Sequence, residues 1–307
     1  MQPPERPEPE VSILVVSYNC AADLRRCLAS VREHVLGSRW EVLVRDNASL
    51  DAQEVAALAD APSVVVVAGS DNPGFGRANN ELARLARAPF LLLLNPDTVL
   101  RSDTPTALRR ALESDPTLGA AAPILENPDG SLQDTWAPPQ GLLWEFCEGN
   151  YLQGIVRARR WRALAARGNP SLHEVGFAGG ACLMVPTPLF RELGGFDPDF
   201  FLNHEDMELC DRIRARGRRI VLLPRERVTH AEGTTQRRDW SGYARNRFVS
   251  RWIYLAKRFR GASLLLARLL WWESLVLKSV VGWFLLRGNA RSRLKGFRAA
   301  AREVLSR

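Results

Sequence analysis

Short apolar runs alternate with longer stretches of helical spacing along most of this chain. Residues 11–16, 41–45, 64–67 and 90–94 are rich in Val and Leu and read as buried strands. Between them, residues 21–35 put Leu24, Cys27, Leu28, Val31 and Val35 on one helical face, and residues 51–60 and 76–87 repeat that rhythm. Strand followed by helix, repeated, predicts an α/β fold with a mostly parallel sheet and helices on both faces. Further helices are expected over 101–114 and over 205–216, the latter with Met207, Leu209, Cys210 and Ile213 inward. Further strands are expected over 118–125, 181–185 and 219–223, with Val228-Thr229-His230 after the last, and a turn at Asn127-Pro128-Asp129-Gly130. Pro186-Thr187-Pro188 marks a helix start and Gly194-Gly195 its end. From 133 to 171 the periodicity is lost among Pro138-Pro139, Trp136, Trp144, Trp161 and a basic cluster at 157–162, so this stretch reads as an irregular insertion.

Each of the first four apolar runs delivers polar, loop-forming residues to its end. These are Ser17-Tyr18-Asn19, then Asp46-Asn47-Ala48-Ser49-Leu50-Asp51, then Asp71-Asn72-Pro73-Gly74-Phe75-Gly76, then Asn95-Pro96-Asp97. Ligands of open α/β sheets bind at the carboxyl ends of the strands, so a carboxylate such as Asp97 there is informative. Turn chemistry uses the same residue types, and Asp46 alone reads as an Asx-turn as readily as a ligand contact. The segment 72–76 opens a helix whose free N–H groups can face a phosphate, with glycines permitting close approach. Glu205, Asp206 and Glu208 crowd another helix start, a placement the helix dipole favours without any catalytic reason.

In order and spacing, Val16-Ser17-Tyr18-Asn19, Asp46-Asn47-Ala48-Ser49, Asn72-Pro73-Gly74-Phe75-Gly76, Asn95-Pro96-Asp97, Gly194-Gly195-Phe196-Asp197 and Glu205-Asp206 resemble the family 2 glycosyltransferases, in particular the rhamnosyltransferase-like branch. The resemblance spans residues 11–246. It implies a single Rossmann-like GT-A domain and inverting transfer of one sugar from a nucleotide-diphosphate donor. Ser17, Asn19, Asp46, Asn47, Ser49, Asn72, Gly74, Phe75, Gly76, Asn79 and Asn95 would bind the donor, with Asp46 accepting the imide N–H of a pyrimidine. The family's Asp-x-Asp metal motif has Asn95 in its first position here, leaving Asp97 as the full-strength ligand for Mg²⁺ or Mn²⁺ and His230 to complete the site. Asp206 would be the general base, with Glu205 and Glu208 orienting it, binding acceptor hydroxyls and raising its pKa. Gly179, Gly180 and His204 would meet the acceptor, and the 133–171 insertion would lie beside it. The implied donor is deoxythymidine diphosphate (dTDP) rhamnose first and a uridine diphosphate (UDP) sugar next; the implied acceptor is a lipid-linked or cell-wall glycan. Two rival readings are a non-catalytic nucleotide-sugar-binding sensor, which Asn95 favours, and a processive polysaccharide synthase. The latter needs several spanning helices and a Gln-x-x-Arg-Trp motif, whose arginine is missing from Gln236-Arg237-Arg238-Asp239-Trp240.

Charge changes the picture for the last part of the chain. The net charge of +8 over 307 residues is uneven: from Arg245 onward 15 Lys and Arg face two Glu, giving +13, while the other 27 basic and 32 acidic residues give −5. A basic tail on an acidic body points to an anionic partner, and its apolar company favours lipid headgroups over nucleic acid. In residues 264–286, Arg268, Glu273 and Lys278 interrupt the apolar runs, short of the roughly 20 residues a spanning helix needs. Near the end, Arg291, Lys295, Arg298 and Arg302 share one helical face and Leu294, Phe297, Ala301 and Val304 another, which reads as a basic amphipathic helix on headgroups. The expected organisation is a disordered Pro- and Glu-rich lead over 1–10, a catalytic domain over 11–244 and a membrane-associating helical tail over 245–307, peripheral on the cytoplasmic face of the cell membrane. Five cysteines without a Cys-x-x-Cys pair argue against a disulfide framework or a zinc site.

Overall fold

The computed structural model describes residues 8–60, 63–139, 141–150, 152–166, 171–231, 240–285 and 290–306. Most of the expected lead (1–7) and most of the Gln236 segment (232–239) lie outside them. Strands β1 (Val11–Ser17), β2 (Trp40–Asp46), β3 (Val64–Ala68) and β4 (Phe90–Leu94) are parallel in the spatial order β3-β2-β1-β4. Their register pairs Ser17 with Asp46 and Asp46 with Ala68, so the polar residues that follow emerge together at one edge. The period of two along each strand divides the core. Ile13 and Val15 pack with Leu24 and Leu28 of α1 (Ala21–His34), whereas Leu14, Leu91 and Leu93 pack with Leu82 of α3 (Phe75–Leu85) on the other side. Helix α2 (Ala52–Ala56) and a 3-10 turn at Ala57–Asp60 fill the crossover between β2 and β3.

Beyond β4 the sheet is mixed instead of mostly parallel. Strand β10 (Cys182–Pro186) runs antiparallel between β4 and β6 (Leu118–Glu126). Strand β11 (Arg219–His230) is parallel to β6 but antiparallel to β5 (Thr98–Leu100) and β8 (His173–Val175). The expected break after residue 223 is a register shift within one long strand, between Leu223 and Arg227. Pro224 lies in that gap, where it has no N–H to give the ladder. The far half of β11 thereby carries His230 opposite Thr98, next to Asp97.

The expected irregular insertion contains β7 (Trp136–Ala137) and two helices, α5 (Leu142–Gly149) and α6 (Gln153–Ala166), between α4 (Thr104–Ser114) and β9 (Phe177–Ala178). Aromatic and guanidinium stacking replaces an aliphatic stripe there, which hid the helices. Trp136 meets the edge of Trp161 at 5.3 Å, and the Arg160 guanidinium lies 5.1 Å from the ring centres of both Trp136 and Trp144. Helix α7 (Thr187–Glu192) starts and stops where the Pro and Gly pairs place it, and α8 (Glu205–Ala215) follows.

Helices α9 (Trp240–Arg258), α10 (Gly261–Leu285) and α11 (Ala290–Ser306) form a third core around Phe248, Trp271 and Phe297 that also takes in Phe200. A buried ion pair, Arg251 Nε to Glu145 Oε2 at 2.9 Å, ties α9 to α5. Helix α11 is amphipathic as expected, but Phe297, Ala300 and Val304 are buried in this core, so its apolar side faces protein and not lipid. Among the described residues no helix is long and apolar enough to cross a membrane.

Candidate active site

The loops after β1 and β2 interlock. Asn47 N–H donates to the Ser17 carbonyl at 2.8 Å, Asn19 N–H to Ser49 Oγ at 2.8 Å and Leu50 N–H to Asn19 Oδ1 at 2.6 Å. Asp46, almost fully buried, accepts from both the N–H (3.1 Å) and the hydroxyl of Ser49, three residues on, so its side chain closes the turn; carboxylate lone pairs remain for a ligand. Asn47 Nδ2 donates to Asn72 Oδ1 at 3.0 Å, and the same oxygen accepts the Gly74 N–H at 3.1 Å. Ser17, Asn47, Asn72 and Gly74 are thus one hydrogen-bonded group and Asn19, Asp46 and Ser49 another, linked through the Asp46–Asn47 peptide. The Ser17 side chain is turned inward, beside Cys20 Sγ at 3.4 Å, so its part is structural. Arg45, absent from the expected site, holds the set from beneath. Its buried guanidinium bonds Glu81, the Asn47 side chain and Asp71, the last at 2.9 Å.

The glycines of the 72–76 loop serve a different purpose from the expected one. Gly74 has φ +90°, and a Cβ there would lie 2.2 Å from the Phe201 carbonyl oxygen; the Phe75 N–H donates to that oxygen at 3.0 Å. A Cβ on Gly76 would meet Phe196 Cβ at 3.0 Å. The close approach is therefore made by residues 196–201, and the first N–H of α3 is occupied by protein and not open to a phosphate. Asn79 is buried, with Nδ2 on the Phe75 carbonyl at 3.0 Å and Oδ1 lacking a partner among the described residues.

A second cluster forms where β4, β5 and β11 meet. Asp97 Oδ1 lies 3.2 Å and Asn95 Nδ2 3.3 Å from His230 Nε2. Gln133, unnoticed in the sequence, determines how that ring is used. Its Nε2 donates to Asn127 Oδ1 and the His230 carbonyl, both at 2.8 Å, so its Oε1 accepts from His230 Nδ1–H at 2.8 Å. The proton on Nδ1 leaves the Nε2 lone pair facing the Asp97 carboxylate. The Asn95 amide N–H also points at Nε2, and in the neutral ring that nitrogen together with the Asp97 carboxylate could hold a divalent cation. No group of three or more His, Cys, Asp or Glu that could hold a metal ion exists among the described residues, so the substrate's oxygens and water would have to supply the other positions. Asn95 belongs with this pair more than with the loops after β1 and β2.

Asp206 completes the site. Consecutive left-handed residues, Asn203 (φ 70°) and His204 (φ 69°), reverse the chain and start α8 toward β10. Asp206 Oδ2 accepts the Gly180 N–H at 2.9 Å and Oδ1 its neighbour Met207 N–H at 2.8 Å. Gly180 therefore holds the carboxylate, and a Cβ there would stand 3.4 Å from both Asp206 Cβ and the Phe75 ring. Gly179 N–H donates to the Thr135 carbonyl at 2.7 Å, while Ala181 accepts from the Asn95 N–H at 2.9 Å. Three successive residues thus join Thr135, Asp206 and Asn95.

Burial raises the pKa of both Glu205 and Asp206. For Glu205, pushed to about 8, the Asp206 charge adds to the effect, and its Oε2 has no hydrogen-bond partner among the described residues. Asp206 is held back by its backbone N–H partners at Gly180 and Met207, which support its ionised form, a support that Glu205 Oε2 lacks. Glu208 does not take part. It is paired with Arg212 (Nε to Oε1, 2.7 Å), which also bonds the Leu193 and Gly195 carbonyls and so secures the turn before the 196–204 loop. His204 packs against the Tyr254 ring, centroids 6.0 Å apart, facing α9 and not an acceptor.

A model of the family described as "Glycosyl transferase family 2" matches residues 12–169. The N-acetylglucosaminyl-diphospho-decaprenol L-rhamnosyltransferase of Mycobacterium tuberculosis is 28% identical over 95% of this chain and 96% of its own. The rhamnosyltransferase WbbL of Escherichia coli is 23% identical over 81% of this chain and 93% of its own. Among solved structures, a mannosyltransferase from Pyrobaculum calidifontis, in complex with GDP-Man and Mn²⁺, superposes with a TM-score of 0.58 at 18% identity, covering 98% of this chain and 91% of that one. Staphylococcus aureus TarS 1–349 with UDP-GlcNAc gives 0.57 at 12% identity, covering 95% and 81%.

Proposed function

Because this chain belongs to glycosyl transferase family 2 and is a glycosyltransferase, we propose that it moves a single rhamnose, with inversion, from dTDP-rhamnose to a lipid-linked glycan, a UDP-sugar being the next donor to try. The two relatives named as rhamnosyltransferases, one of them aligned along nearly the whole chain, support the sugar; the decaprenol in the first name supports a lipid-linked acceptor. The single observation that carries the mechanism is Asp206, a buried carboxylate fixed by the Gly180 and Met207 N–H groups beside a second buried carboxyl, Glu205.

Asp206 takes the proton of the acceptor hydroxyl as that oxygen bonds to the anomeric carbon. The bond from that carbon to the diphosphate breaks on the opposite side, and the diphosphate leaves with the electron pair, which inverts the centre. Asp97 and His230, with Asn95 beside them, would hold a divalent cation that offsets the charge of the departing diphosphate. The interlocked loops after β1 and β2 bind the nucleotide, with Asp46 at the base. Residues 11–244 make the catalytic body, and the helices of 245–307 place it on the cytoplasmic face of the membrane.

A processive synthase would need several spanning helices, and no described helix qualifies. The test is to mix the purified chain with Mn²⁺, dTDP-rhamnose or UDP-sugars, and a polyprenyl-diphosphate sugar, then read product mass and anomeric configuration. Inverted rhamnosyl product is expected; retained configuration, or transfer only from another donor, contradicts the respective part of the reading.

A further inference from the structure

The outward side of α10 is apolar along the helix. Leu265 (62% exposed), Leu269 (57%), Val276 (59%) and Val280 (49%) stand on it, interrupted by Glu273, while Ala267, Trp271 and Leu275 fill the inward side. A helix apolar on both sides requires cover on both, and an aligned row of large aliphatics is more than the single exposed hydrophobics common on soluble proteins. Helix α5 packs beside α10 and extends the patch with Leu143 (76% exposed); α6, which touches α5, adds Ile155 (57%).

We propose that this face of α10, α5 and α6 seats in the headgroup layer of an anionic bilayer, with α10 lying in the plane of the interface. The charge on the page selects lipid as the occupant. The chain from Arg245 carries +13, exposed Arg258 and Arg260 precede α10, and exposed Arg159 and Arg162 continue the stripe of Ile155 along α6. A second copy would bring +13 against +13; a phosphatidylglycerol surface offsets it. Arg268 and Lys278 stack on Trp252 and Phe248 on the protein side of α10, so they leave the outward face apolar, and no described helix is long and apolar enough to cross the membrane.

This seat also determines how the acceptor arrives, and here the inference rests on the lipid-linked reading above. Helices α5 and α6 follow β7 in the segment that begins with Gln133 and Thr135, which touch His230 and Gly179. The same chain segment thus runs from the site to the membrane-facing helices, so that a lipid-anchored sugar would present its hydroxyl to Asp206 without leaving the bilayer. It also explains why the helices of 141–166 stand between β7 and β9.

The test is flotation of the full-length protein with phosphatidylcholine vesicles, with and without phosphatidylglycerol. The wild type should float with anionic vesicles and do so weakly with phosphatidylcholine alone. Leu269→Glu with Val276→Glu should lower the partition coefficient by about tenfold or more, since two inserted aliphatics are replaced by two charges repelled by the surface. Arg298→Gln with Arg302→Gln, on exposed positions of α11, should lower it less. Donor-induced thermal stabilisation, read in solution without lipid, should be the same for all; its loss in the wild type would count against the donor assignment and leave the seat standing. Failure of the wild type to float overturns the proposal. So does a larger loss from the α11 variant than from the α10 variant. A dimer by light scattering that Leu269→Glu dissolves, with no vesicle binding, would show that a second copy covers the face.

Discussion

Replacing Glu205 by Gln should make the stability curves of the two proteins cross as pH is raised. The folded-state pKa of Glu205, about 8, lies above its ordinary value of 4.5. A carboxyl raised in this way contributes fully below pH 4.5 and loses that contribution as pH rises toward 8, because the unfolded chain releases the proton first. At about 1.36 kcal/mol per unit, the wild type should lose on the order of 4 kcal/mol between about pH 5 and pH 9 from this group. That is a large part of the stability of an ordinary domain, about 5–15 kcal/mol. Glutamine does not titrate, so the variant escapes the loss. It brings an amide into a place where Oε2 already lacks a partner, at about 1–3 kcal/mol independent of pH. Glu205→Gln should therefore melt lower than wild type near pH 5 and higher near pH 9. Urea unfolding across that range reads the difference directly. Parallel curves would refute the idea that Glu205 holds the proton of the pair.

Gln133→Leu should leave the fold intact but free His230 Nδ1, lowering Mn²⁺-dependent donor affinity by about 10- to 100-fold in calorimetry; an unchanged affinity would remove Gln133 from the site. Gly74→Ala introduces a Cβ 2.2 Å from the Phe201 carbonyl at a φ of +90°, so the 196–204 loop must shift and turnover should fall more than donor affinity; near-normal kinetics would show the contact is not needed. Arg251→Met leaves Glu145 buried without its partner and should cost about 3–5 kcal/mol, whereas Arg251→Met with Glu145→Leu should recover most of it; equal losses in a melting series would count against a coupled pair.

The parallel half of the fold was legible because its strands are uniformly apolar and each ends in turn chemistry. Ser17, Asp46 and Asn95 could be placed at one edge from that pattern alone. What failed was whatever depends on non-local contact. The helices of 141–166 are held by Trp–Trp and Arg–Trp stacking, which has no period, and β10 enters antiparallel where strand–helix alternation predicts a parallel neighbour. Motif order located Asp206 and His230, but their partners are remote: Gly180 is 26 residues from Asp206 and Gln133 is 97 from His230. Glu208 and His204 share Asp206's neighbourhood in sequence, yet the turn of α8 aims one at Arg212 and the other at Tyr254. Arg45 did leave a signal, a charge closing an apolar strand, and a buried guanidinium always requires acceptors to be sought.

The most direct test of the account is the turnover of Asp206→Asn beside its donor affinity. Asparagine keeps the size and can still accept the Gly180 N–H, but it cannot take a proton. The donor should bind as tightly as to wild type in calorimetry, while transfer falls by about 10² to 10⁴. If Asp206→Asn turns over normally while Glu205→Gln is inactive, the base is Glu205, and the assignment of charge within the pair is wrong.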